Sequence, residues 1–350
     1  MSKKIITIIA TVFGLTIGAF AQDIHFSQFN MSPLTLNPSM AGAQHDIQAA
    51  LNYKSQWASV SSSPYKTFAC SYDMVLNRRN SRKGMLGAGI NVFSDKAGDG
   101  NFSTTQANLS IAYHVRLNGE NTLGGGIQAG YLQRSIDYAA LKWGNQYDGT
   151  AWNSSIAPTE PMGADPSIGM VDFAGGIVWC YDNSANSNSV TGDNDTKFCA
   201  GFSVFHVGKP EYGFYADNHK LYMKYVGHAN ALIGLHNSNM AVVPGIMYAK
   251  QGPAQEIYAG TLLRFTLGMD SKYTGFRNGA AISFGGYVRA KDAIAAVVQL
   301  DYANYTMGIS YDLNTSGLTQ ASSGRGGIEV ALRYVAPNPF VQKRSRSLID

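Results

Sequence analysis

From Ala293 to Tyr334 apolar residues recur at every second position, a spacing that a helix cannot hold on one face. Ile294, Ala296, Val298, Leu300 and Tyr302 share one face, and Ala293, Ala295, Val297, Gln299 and Asp301 the other. After a break at Ala303 and Asn304 the pattern restarts. Tyr305, Met307, Ile309, Tyr311 and Leu313 then alternate with Thr306, Gly308, Ser310, Asp312 and Asn314. A Gly/Ser-rich loop follows, and Ile328, Val330, Leu332 and Tyr334 alternate with Gly327, Glu329, Ala331 and Arg333. Three successive strands of about ten residues, apolar on one side and small or polar on the other, fit a transmembrane β-barrel with its apolar face to lipid. A soluble sandwich also alternates, but rarely with strands this long and this rich in Tyr and Gly.

The same pattern runs back through the chain. It predicts strands over 46–57, 65–77, 84–94, 102–117, 121–133, 167–181, 197–207, 221–235, 240–249, 255–267 and 280–290, ahead of the three above. The total is about fourteen, an even number, as in single-chain bacterial barrels. The fold expected is therefore all-β, a transmembrane antiparallel barrel of the outer membrane. Composition agrees: charged residues are 14% of the chain, against roughly 25% in soluble domains. A formal net charge of +4 is too small to argue for nucleic acid as a partner; outer-membrane lipid is the partner the apolar face implies.

Residues 1–21 read as a secretory signal. Lys3 and Lys4 form the positive end, Ile5 to Phe20 the apolar core, and Ala19-Phe20-Ala21 the cleavage site. No later stretch reaches about 18 apolar residues, so no helical span is expected. Residues 22–45 lack strand periodicity and read as a periplasmic segment or a plug in the lumen. The barrel is expected over 46–335. Pro337 and Pro339 end its ladder, leaving 336–350 as a basic periplasmic tail. With the first strand starting in the periplasm, odd-numbered connections face outward. They include the longest, Arg134 to Pro166, whose Trp143, Tyr147 and Trp152 are candidate aromatic anchors for a partner or a girdle at the membrane surface. The turn at 77–84 carries Arg78, Arg79, Arg82 and Lys83, a charged turn or a contact for anionic headgroups.

On the predicted inner face lie Asp172, Asp301, Asp312 and Glu329 with Arg116, Arg264, Arg289 and Arg333. Charges of both signs inside a barrel must pair or stay wet, and pairing would tie strands across the interior. This favours a plugged, structural barrel over an open porin. Of three cysteines, Cys180 and Cys199 flank one polar loop, where they either form a cross-strand disulfide or serve with Cys70 as small apolar residues.

No catalytic constellation is present. There is no GxSxG elbow, HExxH, CxxC or phosphate loop. The seven histidines are scattered, and His206, before a Gly-Lys-Pro corner, reads as structural. The Asp-rich runs 94–100 and 193–195 lack EF-hand spacing and read as turns. No cofactor, metal or enzymatic activity is expected.

Several ordered runs resemble the PorP/SprF family of type IX secretion system membrane proteins of Bacteroidetes. Phe26, Ser27, Gln28, Asn37, Pro38, Ala41 and Gly42 match its opening motif, with Ser39 where Ala is usual. Lys54-Ser55-Gln56-Trp57, the run Phe93 to Gly100, Thr105-Gln106 and Leu109 to His114 are similar to later family segments. Ser310 to Leu318 and Gly324 to Glu329 resemble its closing hairpin. The resemblance implies a non-enzymatic outer-membrane barrel that assists export or surface anchoring of a large secreted protein or gliding adhesin. It further implies as partners a secreted cargo with a type IX C-terminal domain and a periplasmic peptidoglycan-binding protein. It marks Phe26, Gln28, Asn37, Pro38 and Gly42 as residues that order the N-terminal segment against the periplasmic rim for partner contact. The alternative is a passive, porin-like diffusion channel.

Overall fold

A computed structural model describes residues 23–76, 84–159, 166–183, 196–214, 219–268, 279–317 and 319–336. The signal-like 1–21, the basic turn, the Asp193–Asp195 run and the basic tail lie outside them.

The alternation becomes strands because every second side chain of a pleated chain meets the same face. They are β1 Ile47–Gln56, β2 Tyr65–Val75, β3 Met85–Ala97, β4 Phe102–Arg116, β5 Asn121–Ser135, β6 Ser167–Asp182 and β7 Thr196–Phe205. Then follow β8 Lys224–Gly234, β9 Met240–Gln251, β10 Ala254–Gly268, β11 Ala280–Arg289, β12 Ala293–Tyr302, β13 Tyr305–Asn314 and β14 Arg325–Ala336. Each strand pairs antiparallel with its sequence neighbours, and β1 pairs with β14 from Ile47↔Ala336 to Gln56↔Gly327, closing the barrel. Closure leaves no strand without a neighbour on each side, where an open sheet would expose an edge to lipid. The chain is thus the outer-membrane β-barrel that the pattern predicts.

Along β12 and β13 inner and outer residues alternate without a break. Val298, Leu300, Ile309 and Leu313 face outward, and Val297, Ser310 and Asp312 are buried within. Aromatic pairs sit near both ends of the wall, with Trp57 against Tyr65 at one and Tyr305 against Tyr334 at the other, as the girdles of such barrels do.

The two longest connections, after β5 and after β7, leave from the same end, which is the outer one. Residues 23–46 are a plug. Asp23 lies beside His206 and Gln251 at the outer mouth, and Gly42 lies beside Asp73 and Gly87 near the periplasmic end. The segment therefore descends the whole lumen before turning into β1. Its sequence makes three short helical turns, Phe29–Met31, Pro33–Leu36 and Pro38–Met40. Pro33 and Pro38 suit first helical positions, where an N–H has no helical partner. The Asn37 carboxamide accepts the Ser39 N–H at 2.9 Å and caps the third turn.

Two apolar clusters seat the plug. Phe29 packs on Tyr258 and Tyr287, with ring centroids 6.2 and 5.2 Å away, and Leu34, Met40 and Ala41 pack among Ala112 and Val178. Burying Phe29 and Leu34 contributes about 1.5–3 kcal/mol each.

Candidate functional site

An irregular segment inside a barrel must find partners for its backbone groups, because water is scarce there. Wall side chains supply them here. The Glu329 carboxylate accepts the backbone N–H of Ser27 at 2.7 Å and of Gln28 at 3.0 Å. Asp73 accepts the Gly42 N–H at 2.9 Å. The Leu36 carbonyl accepts the Ser203 hydroxyl at 2.5 Å, and the Ala41 carbonyl accepts from His114 Nε2 at 2.8 Å.

Ion pairs fix the outer half of the plug. Lys54, 2% exposed, places Nζ 3.3 Å from Asp312 and donates to the Ser27 hydroxyl at 3.1 Å. That hydroxyl donates to Asp312 at 2.7 Å. Arg289 lies 3.6 Å from Asp312, pairs with Asp292, and donates to the Tyr258 hydroxyl at 2.7 Å. It also reaches His25 Nε2 at 2.9 Å. Arginine only donates, so Nε2 accepts and His25 Nδ1 carries the proton toward Glu256, 3.1 Å away. His25 is then neutral. Burial pushes its pKa below the usual value, against the upward pull of Glu256.

A second clamp closes the mouth. His206 has φ 57°, a left-handed turn at the end of β7 that aims its ring back into the lumen. Nε2 meets Asp23 at 2.7 Å and Nδ1 meets Asp172 at 2.9 Å. Burial works to lower the His206 pKa, but the Asp23 carboxylate and the Asp172 hydrogen bond outweigh it and raise the pKa to about 9. Both ring nitrogens therefore donate. Burial would raise the Asp23 pKa, yet His206 and Lys224, the latter 3.5 Å away, hold it well below the carboxylate range.

The predicted inner charges divide. Asp172, Arg289, Asp312 and Glu329 join the plug locks just described. Arg264 pairs with Asp301 at 3.2 Å nearer the periplasm, and Arg333 reaches Thr306 at 3.4 Å. Arg116 does not join: as the last residue of β4, past the filled lumen, it is exposed. Lys54–Asp312 and Arg289–Asp312 join strands that are not neighbours, and the same outer charges grip the plug. Lys54, Asp23, His25, Glu256 and His206 complete the set beyond the inner charges named from the sequence. Three of these precede β1 or end a strand. Lys54 and Glu256 sit on the inner face, where a charge is itself the signal.

Phe26, Gln28, Asn37, Pro38 and Gly42, expected at the periplasmic rim, are all buried inside the barrel. Asn37 donates to the Ile177 carbonyl at 2.9 Å, and Gln28 accepts from Gln299 at 3.3 Å. Their role is to seat the plug, because the segment threads the lumen instead of lying below it. Cys180 and Cys199 are directly opposed on β6 and β7 and joined, S–S 2.10 Å; Cys70 is exposed on the outward face of β2.

The outer loop makes a small fold of its own. Buried Gln146 accepts from the Trp143 N–H at 3.1 Å and the Trp152 indole at 3.0 Å, and donates to the Ile156 carbonyl at 2.9 Å. Tyr147 and Trp152 bridge one another and stay 58% and 41% exposed, while Trp143 is half-buried. Lys142 lies over the Trp152 ring at 5.1 Å.

The family model described as "Type IX secretion system membrane protein PorP/SprF" matches residues 18–334. No curated protein is significantly similar. Among solved structures, a deletion mutant of the TodX monoaromatic hydrocarbon channel is similar at 11% identity and TM-score 0.49, covering 88% of this chain and 94% of that one. The toluene transporter TbuX of Ralstonia pickettii is similar at 9% identity and TM-score 0.45, covering 87% and 93%. BamA of Haemophilus ducreyi lacking POTRA domains 1–3 follows at 9% identity and TM-score 0.40, covering 83% and 70%.

Proposed function

The chain belongs to the PorP/SprF family of type IX secretion system membrane proteins, and from that premise we propose that it is a non-enzymatic barrel assisting export or surface anchoring of a large secreted protein. The observation that carries this reading is the plug. A segment continuous with the barrel wall occupies the lumen from outer mouth to periplasmic end and is held by buried charges. Such a lumen suits a scaffold whose partners dock at its ends, and it opposes passive diffusion. The outer docking surface is the loop carrying Tyr147 and Trp152, because exposed aromatics on a small rigid fold make strong anchors at low entropic cost. The partners are a secreted cargo with a type IX C-terminal domain and, at the other end, a periplasmic peptidoglycan-binding protein; where the host glides, the cargo is a surface adhesin.

The test is affinity purification of the tagged protein from mild-detergent outer membranes, with a deletion strain assayed for surface display. Co-purification of such a cargo, and its loss from the surface of the deletion strain, support the reading. Unchanged display with no bound partner, together with steady ion conductance in planar bilayers, overturns it in favour of a diffusion channel.

A further inference from the structure

The barrel wall closes around its circumference but not to its full height. β5 pairs β6 from Ser135↔Ser167 to Asn121↔Tyr181, whereas β7 pairs it only from Gly175↔Val204 to Asp182↔Lys197. β7 ends at Phe205, and the chain turns into the lumen at His206. Val207 makes the last contact, donating its N–H to the Phe173 carbonyl at 3.0 Å. Asp172 holds His206 at the outer mouth. The stretch Ser167–Val171 therefore stands outward of that clamp, with a strand on one side alone.

In an antiparallel ladder successive residues bond to opposite sides, N–H and C=O together. Phe173 turns its carbonyl toward β7, so Val171 and Gly169 face that side too, and Met170 and Asp172 face β5. Cys180 and Cys199 fit the same alternation: their Cα atoms are 4.2 Å apart, as in a pair that is not hydrogen-bonded. Among the described residues nothing on the β7 side bonds Gly169 or Val171, and both are exposed. Native sheets blunt such edges with lysine, proline or a bulge. Ser167 to Phe173 contains no lysine or proline, and its register with β5 has no bulge. Its one charge, Asp172, is turned into the lumen, to His206 and Gln106, and away from the edge.

We propose that the open edge of β6 takes up an extended segment of the secreted partner as an added strand, main chain to main chain. A row of backbone donors and acceptors is complementary to another strand, not to a lipid tail or a small solute. Val171 and Phe173 point outward beside it, so the added strand carries apolar residues at alternate positions to pack against them. The edge is also continuous with the outer loop: the Ile136 N–H donates to the Pro166 carbonyl at 2.9 Å, immediately before Ser167. The inference rests on the cargo reading and says where on the barrel the cargo is held.

The experiment is residue-resolved hydrogen–deuterium exchange on the full-length barrel in mild detergent, alone and in the complex recovered by affinity purification. Alone, the Gly169 and Val171 amides should exchange fast, while those of Met170 and Asp172, bonded to β5, are slow. In the complex the Gly169 and Val171 amides should slow at least roughly tenfold. Val171→Pro removes an N–H from the open side and none from the β5 ladder. With folding checked by heat-modifiable gel mobility, it should lower recovery of the partner at least roughly tenfold; should it fail to fold, the wild-type exchange decides. A complex in which both amides stay fast, or full recovery by a folded Val171→Pro barrel, overturns the edge site and leaves the cargo reading standing. Absence of any complex overturns both. Amides already slow in the barrel alone also overturn the site, and slowing that follows barrel concentration assigns the edge to a second copy instead.

Discussion

The Glu329 carboxylate takes the backbone N–H of Ser27 on one oxygen at 2.7 Å and that of Gln28 on the other at 3.0 Å, with all three residues closed to solvent. This bidentate grip joins the last strand to a segment about 300 residues earlier in the chain and secures the plug independently of the barrel ladder.

Glu329→Ala leaves two buried donors unsatisfied, at about 1–3 kcal/mol each, without touching β1 to β14 pairing. The plug is expected to loosen while the barrel stays closed. Wild-type protein should be silent in planar bilayers and the variant should conduct in bursts; a silent variant with wild-type melting behaviour would contradict the role given to Glu329.

The His206 clamp sets a pH dependence. Its pKa is raised from 6.5 to about 9 in the folded state, so its stabilisation is complete below about pH 6.5 and fades as pH rises through 9. Asp23 acts in the opposite sense: its depressed pKa stabilises above the ordinary carboxylate value and is lost only in strong acid. Melting temperatures measured from pH 6 to 10 should fall toward the alkaline end by the equivalent of roughly 1–3 kcal/mol, and His206→Gln should flatten that slope. An unchanged slope in the variant would assign the fall to other groups.

Gly126 faces the plug so closely that a Cβ there would lie 2.6 Å from Ser39 Cα, whereas at Gly125, on the opposite face, it would meet nothing within 4 Å. Gly126→Ala should destabilise by about 1–3 kcal/mol through overpacking against backbone, and Gly125→Ala by less than about 0.5 kcal/mol. Equal effects in a denaturant titration would mean that the plug does not press on β5.

Trp152→Ala removes an exposed indole while Gln146 still holds the loop through Trp143 and Ile156. If the outer loop docks cargo, recovery of the co-purified protein should drop roughly tenfold or more, as at interface anchors, with barrel folding unchanged. Full recovery would move the docking surface elsewhere.

The barrel was readable because lipid and lumen impose opposite demands on adjacent residues. In Ile294 to Tyr302 that demand is written at every position, and it gives strand number, direction and which side chains point inward. Asp312 and Glu329 were visible as inner charges for the same reason. Residues 23–46 carry no such period, since a plug is shaped by the cavity around it; the sequence left it between lumen and periplasm. Its contacts join positions hundreds of residues apart, as Ser27 with Glu329 and Asp23 with His206 do. A local pattern cannot encode such pairings, nor that Arg116 falls outside the filled part of the lumen. Those were settled by barrel closure, which brings β1 against β14 and leaves the N-terminal segment a single enclosed path whose buried polar groups had to find partners on the wall.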